Sequence, residues 1–231
     1  MADARLLGKR VLRRVLPAPV AEGLLRLRAQ AYWWNRRRLK PRNDARVVRA
    51  LLASGKPIWL ELASWTRPEQ VGWTFSDLGG GGDLQLDLTR PLPFPDNSVA
   101  RIYSSHVLEH FSYPSPMLDL LRECHRILRP GGEFSIAVPD ARLFLDGYHD
   151  PAAFRASALC TEDVGLNFKS PIDFVNFIAY LGGEHKHLFD SDNLPLILQE
   201  AGFSQARVRG FDPSVDLAQR RHESVYAIAS K

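Results

Sequence analysis

Residues 92–140 constrain this chain more than any other stretch. They open with LPFPDNSVARIYSSHVLEHF and close, after a helical segment, with LRECHRILRPGGEFSIAVPD. Ser98 to Ser104 carries Val99, Ile102 and Tyr103 and reads as a buried strand. Pro114, Ser115 and Pro116 open a helix. Met117, Leu120, Leu121, Cys124, Ile127 and Leu128 recur at helical spacing and give it one apolar face. Arg129-Pro130-Gly131-Gly132 stops it, and Phe134 to Val138 forms a second strand ended by Pro139. Strand, helix and strand at this length make a parallel crossover unit. Ligands of such sheets sit beyond the carboxyl ends of the strands, here Ser104–His110 and Pro139–Asp140.

Upstream, Asn43 or Asp44 caps a helix carrying Val47, Val48, Leu51 and Leu52, with Gly55 after it. Ile58 to Ala63 is the first strand, a second ends at Asp77 and a short third at Asp87. The connections between them are shorter than the dozen or so residues a crossover helix needs, so helices are expected to be truncated there and one sheet face left open. Downstream, Ala141–Tyr148, Pro151–Cys160 and the aromatic-rich Ile172–Leu181 read as helices. A polar loop, Gly182 to His187, leads to a helix with Leu194, Leu196, Ile197 and Leu198, closed by Gly202. Arg207–Phe211 and Ser224–Ala229 are the expected final strands. The chain has 231 residues, 45% of them hydrophobic, enough for one large α/β domain and a small appendage.

Three runs carry a family resemblance: Leu92-Pro93-Phe94-Pro95-Asp96, Ser105-His106-Val107-Leu108-Glu109-His110, and Arg126-Ile127-Leu128-Arg129-Pro130-Gly131-Gly132. Together they resemble class I S-adenosylmethionine-dependent methyltransferases, and most of all the small bacterial ones often associated with glycan and lipopolysaccharide biosynthesis. The resemblance spans roughly residues 57–231. It implies a Rossmann-like α/β fold with a mostly parallel seven-stranded sheet and an antiparallel last strand. The domain would run over 43–231, with a lid or substrate insert at about 141–189. The implied cofactor is S-adenosyl-L-methionine. On that reading Asp77 accepts from the ribose hydroxyls, while Asp87 and Leu88 lie near the adenine. Ser104, Ser105 and His106 line the methionine end, and Glu61, Ala63 and Ser64 form the loop after the first strand. That family usually has Gly-x-Gly in this loop, because backbone must approach the cofactor closely. Here Ala63 and Trp65 occupy the glycine positions, so the motif is degenerate. Trp65 either narrows the donor pocket or stacks on a ligand.

Methyl transfer from a sulfonium is an in-line displacement that often needs a proton acceptor. His110 is the first candidate, at the mouth of the Ser104–His110 loop with Glu109 beside it, and His185 is the second. Glu109-His110 equally suits fixing the loop by hydrogen bonding, and His185 with His187 suits a polar lid. His185, His187 and Glu184 are ligating residue types, but their spacing matches no strong metal pattern, and no metal is expected. No Gly-x-Gly-x-x-Gly follows a strand, which argues against a nicotinamide enzyme. The expected function is therefore methyl transfer, with O-methylation of a sugar, glycan or lipid-linked acceptor as its specific form. A catalytically inactive adaptor that keeps the fold and docks through a basic arm is the alternative.

That arm is residues 1–42. It holds twelve Lys or Arg against Asp3 and Glu22, a formal charge of +10, whereas the remainder holds 18 bases against 24 acids, or −6. Leu6, Leu7, Val11, Val15 and Leu16 share one helical face, and Trp33-Trp34 sits beside Arg36-Arg37-Arg38. Such a segment suits an anionic membrane surface, nucleic acid, or plain packing on its own domain. Two cysteines, Cys124 and Cys160, give no disulfide framework. No apolar run reaches the ~18–20 residues of a membrane span. A cytoplasmic protein, peripheral at the inner membrane surface through its arm, is the expectation.

Overall fold

The computed structural model describes residues 44–64, 70–159 and 169–231, together with Val20. The expectations for the basic arm 1–42, Trp65 and Cys160 lie outside the described residues. The remainder belongs to one compact unit, Asn43–Lys231.

Among the described residues six strands form one central sheet. Its strands are β1 (Trp59–Leu62), β2 (Trp73–Phe75), β3 (Val99–Ser105), β4 (Leu128–Pro139), β5 (Ser204–Arg209) and β6 (Ser224–Ser230), in spatial order β2-β1-β3-β4-β6-β5. The β2–β1, β1–β3 and β3–β4 pairs are parallel, whereas β6 runs antiparallel to both β4 and β5. The expected antiparallel last strand is therefore present. The expected third strand ending at Asp87 shrinks to a single parallel bridge, Ser76 to Leu84. Four consecutive glycines, Gly79 to Gly82, separate the two halves of that bridge, and glycine both weakens strands and favours turns. Gly82 is confined for a second reason: a Cβ there would meet the Phe75 carbonyl oxygen at 2.6 Å.

One face of the parallel strands is fully buried: Leu60, Leu62, Ile102, Phe134, Ile136 and Val138 share it in register and lie in the main core. The other face is covered less completely, with Glu61, Tyr103 and Ala137 buried, Trp59, Glu133 and Ser135 half-buried and Arg101 exposed. The helix α1 (Asp44–Ala53) precedes β1, and its Asp44 accepts from the Gln85 backbone N–H at 2.9 Å. Helix α2 (Met117–Ile127) buries Met117, Leu118, Leu120, Leu121, Cys124 and Ile127, the stripe its spacing predicts plus Leu118 and without Leu128, which opens β4. No helix lies between Ser76 and Ser98 among the described residues, in line with the short connections.

Arg126, near the end of α2, holds the Leu92–Asp96 segment. Its guanidinium donates to the Leu92 and Phe94 carbonyl oxygens at 3.0 and 2.9 Å, to Asp96 at 2.8 Å, and to both Glu123 oxygens at 2.8 Å. Glu123 also accepts from the Leu92 N–H, and these bonds hold its carboxyl below the usual range. Two of the three recognisable sequence runs are thus one structural joint.

After β4 the chain leaves the sheet. Asp140 caps α3 (Ala141–His149) by accepting from the Arg142 N–H, and α4 (Pro151–Ala156) and α5 (Ile172–Tyr180) follow. Phe144, Phe154, Phe174 and Ile178 form a second core of their own. The chain returns at Phe189, which bridges Asp140. Helix α6 (Asn193–Glu200) buries Leu194, Ile197 and Leu198, while Leu196, expected on its apolar face, is 62% exposed.

Candidate functional site

The carboxyl ends of the parallel strands converge. In register, Leu62 lies beside Ser104 and Ser105 beside Ala137. Beyond β1, Ala63 adopts φ +52°, the left-handed region that glycine enters freely and alanine seldom does. The backbone therefore makes at Ala63 the turn for which a glycine is usual. Ser64 N–H donates to the Ser76 carbonyl at 2.7 Å, tying this turn to the end of β2. Glu61 is buried within β1, and its carbonyl accepts from the Ser76 N–H and hydroxyl.

Asp77 follows directly and is half-buried. One of its carboxylate oxygens accepts from the Gly81 N–H at 3.1 Å. Asp87 is more committed. It accepts from the Thr89 N–H and hydroxyl at 3.0 and 2.7 Å and faces Arg90 at 3.6 Å. Leu88 packs at the margin of the main core.

At the end of β3, Ser104 is fully buried and its hydroxyl has no hydrogen-bond partner. Ser105 accepts from Arg220 through its carbonyl at 2.7 Å and its hydroxyl at 2.9 Å. His106 has φ +55° and pairs its Nε2 with the Ser224 hydroxyl at 2.7 Å. Burial, and then the nearby Arg220 charge, push the His106 pKa down to about 3, so the ring is neutral.

The loop then enters a short 3-10 turn, Leu108–His110. Glu109 is buried, and neither carboxylate oxygen has a hydrogen-bond partner. Desolvation raises its pKa to about 8. Its backbone carbonyl accepts from the Lys186 and His187 N–H groups at 2.7 and 3.3 Å. That pairing brings the Gly182–His187 loop onto the turn. His110 Nδ1 faces the Glu184 carbonyl at 3.2 Å, and His185 Nδ1 faces the Ile178 carbonyl at 2.6 Å. The two imidazoles meet edge to face at 5.1 Å.

His110 and His185 are thus brought together, with Glu109 between strand end and loop. His185 is buried rather than part of an exposed polar lid. The grouping of His185 with His187 and Glu184 does not form: His187 turns toward Phe189 and Tyr113, and Glu184 offers His110 its carbonyl. Arg220, Glu223 and Ser224, which meet Ser105 and His106, carry no signal in the sequence. They lie in and after an irregular turn whose residue order matches no motif.

The backbone of Ala63, the half-engaged carboxylate of Asp77 and the orphaned hydroxyl of Ser104 lie along one line of strand ends. Each is a feature that a nucleoside-bearing cofactor could use. The profile of a family described as "Methyltransferase domain" matches residues 74–136. No curated protein matches the sequence. Among solved structures, a S-adenosylmethionine-dependent methyltransferase from Archaeoglobus fulgidus is similar at 15% identity and a TM-score of 0.47, over 81% of this chain and 94% of that one. A possible histamine N-methyltransferase from Thermotoga maritima is similar at 16% identity and a TM-score of 0.47, over 89% and 96%. Phosphoethanolamine N-methyltransferase 2 from Haemonchus contortus is similar at 12% identity and a TM-score of 0.46, over 82% and 52%. The matched stretch, residues 74–136, takes in Asp77, Asp87, the Ser104–His110 loop and helix α2.

Proposed function

We propose that the chain O-methylates a sugar, glycan or lipid-linked acceptor and that His110 receives the acceptor proton. S-adenosylmethionine supplies an electrophilic methyl group on a sulfonium. On this reading Asp77 takes the ribose hydroxyls and Asp87 and Leu88 border the adenine. Glu61, Ala63 and Ser64 form the wall of the cofactor site at the end of β1. Ser104, Ser105 and His106 bound the methionine end. As the acceptor oxygen forms its bond to the methyl carbon, the carbon–sulfur bond breaks and the hydroxyl proton passes to His110.

The observation that carries this reading is the state of His110. It is partly exposed, at 37% of its side chain, and its Nδ1 is held by the Glu184 carbonyl. A carbonyl only accepts, so Nδ1 carries the hydrogen and Nε2 keeps a lone pair. Burial is the largest cause lowering the His110 pKa, which keeps that lone pair available at neutral pH. A base in this state is suited to proton transfer.

Asp77→Ala tests the cofactor half. Loss of charge-assisted bonds to the ribose is expected to weaken S-adenosylmethionine by ~2–4 kcal/mol in calorimetry. Unchanged affinity refutes the assignment. The arm enters as a membrane-docking element: each basic residue near an anionic surface contributes about 1 kcal/mol. Full-length protein is then expected to sediment with anionic vesicles at low salt, and a failure to do so refutes that part.

A further inference from the structure

Glu109, His110 and His185 place three metal-ligating atoms within 4.8 Å of one another. From this geometry we infer a binding site for a divalent transition-metal ion, zinc above all, with these three residues as its ligands.

The tautomers support it. Nδ1 of His110 faces the Glu184 carbonyl, and Nδ1 of His185 faces the Ile178 carbonyl. Both carbonyls can only accept, so both Nδ1 atoms carry hydrogen and both Nε2 atoms keep their lone pairs. A histidine that ligates a metal typically donates its other N–H to just such a backbone oxygen, which fixes the ring and its tautomer. Two histidines, from chain segments 75 residues apart, are both held this way.

The third ligand gives an independent sign. Glu109 is 2% exposed, and both of its carboxylate oxygens lack a hydrogen-bond partner. A buried carboxylate without a donor on either oxygen is costly, and a cation at this point would satisfy it. Glu109 Oε1 already lies 3.6 Å from His110 Nε2. Ligands about 2.0–2.2 Å from a tetrahedral ion stand roughly 3.4 Å apart, so that pair is near its final spacing. The bound of 4.8 Å on the three separations exceeds that spacing by about 1.4 Å, the most that side-chain shifts have to close on binding.

The donor set decides the ion. Two neutral imidazoles and one carboxylate suit zinc and its transition-metal neighbours, while magnesium and calcium prefer oxygen ligands. Three protein ligands leave a fourth position open, as in a catalytic rather than a structural zinc site. His110 is the exposed member, so the opening lies on its side.

The site rests on donor geometry and not on the methyl-transfer reading. Ion and acceptor proton compete for the same His110 Nε2. Zinc loading is therefore expected to slow a transfer that relies on His110 as base, whereas zinc binding proceeds whether or not it is the base.

The test uses the full chain, stripped with a chelator and titrated with zinc chloride alone in calorimetry, with bound metal counted by mass spectrometry. One zinc per chain is expected. His110→Ala, at an exposed position that spares the fold, is expected to weaken binding by more than the ~10–100-fold that outer-shell partners command. Glu109→Gln is expected to do the same, and His149→Ala, exposed on α3, to leave binding unchanged. Cobalt in place of zinc is expected to give a tetrahedral or five-coordinate visible spectrum that His110→Ala abolishes. Absence of stoichiometric zinc, zinc binding that survives His110→Ala, or a cobalt spectrum indifferent to it would each overturn the assignment.

Discussion

Asp216 gives the sharpest energetic test of this fold. Its side chain is fully buried and takes four donors: Arg209 Nη1 at 2.6 Å, Arg209 Nη2 at 2.8 Å, the Tyr103 hydroxyl at 3.0 Å and the Asp212 N–H at 2.7 Å. Arg209 also donates to the Ser135 hydroxyl and lies over the Tyr226 ring at 5.1 Å. The network therefore spans β3, β4, β5 and β6. Asp216→Asn keeps the shape but leaves the guanidinium, only 14% exposed, without its counter-charge. Breaking a buried pair in this way costs about 3–5 kcal/mol. At ~2–4 °C per kcal/mol for a unit of this size, the melting temperature should fall by roughly 6–20 °C. Urea denaturation followed by tryptophan fluorescence should show a lower midpoint at an unchanged slope. Arg209→Met on the Asp216→Asn background should restore part of the loss, because the stranded charge is gone. A loss under ~1 kcal/mol, or a double variant whose loss is the sum of the singles, would refute the reasoning.

Three further outcomes follow from the site and its surroundings. His110→Ala is expected to lower turnover ~10²–10⁴-fold with cofactor affinity unchanged, and undiminished turnover excludes it as the base. His106, depressed to about 3 by burial, contributes stability that is fully present above its unfolded value near 6.5 and is lost as pH falls through 3. His106→Asn tolerates the positive φ and removes this titration, so its melting temperature should fall less than wild type between pH 6 and about 3; parallel pH profiles would contradict the assignment. Gly82→Ala forces the backbone off the Phe75 carbonyl and should cost ~1–3 kcal/mol, read as a lower urea midpoint; a neutral effect means the turn yields freely.

Much of the frame was legible because apolar spacing and turn residues agree over residues 92–140. The buried stripe of α2 and the strands on either side of it follow from that agreement, although the helix ends at Ile127 and the Arg129–Gly132 run expected to stop it already belongs to β4. Leu196 shows where periodicity fails: it shares a short apolar run with Leu194 and Leu198, and only packing decides which members face the core. The third strand failed for a local reason, four glycines where a ladder would have to form. The buried charges were illegible for a different one. Asp216, Arg209 and Glu109 look like surface residues one at a time, and only the folded chain supplies the partners, or for Glu109 their absence. Likewise no spacing rule relates His110 to His185; the Glu109 carbonyl joins their loops.

The position of β6 has a consequence for how this sheet is made. It lies between β4 and β5 yet follows both of them in the chain. Until residues 224–230 emerge during synthesis, β4 presents a bare row of backbone donors and acceptors and β5 has no neighbour. A twelve-residue strand with a bare flank is a template for wrong pairing with another chain. β5 can join only through β6, so the sheet cannot be completed from the amino end onward. Arrest of synthesis just before Ser224 should therefore give a species that holds α2, β3 and β4 together and still aggregates along its unfilled side.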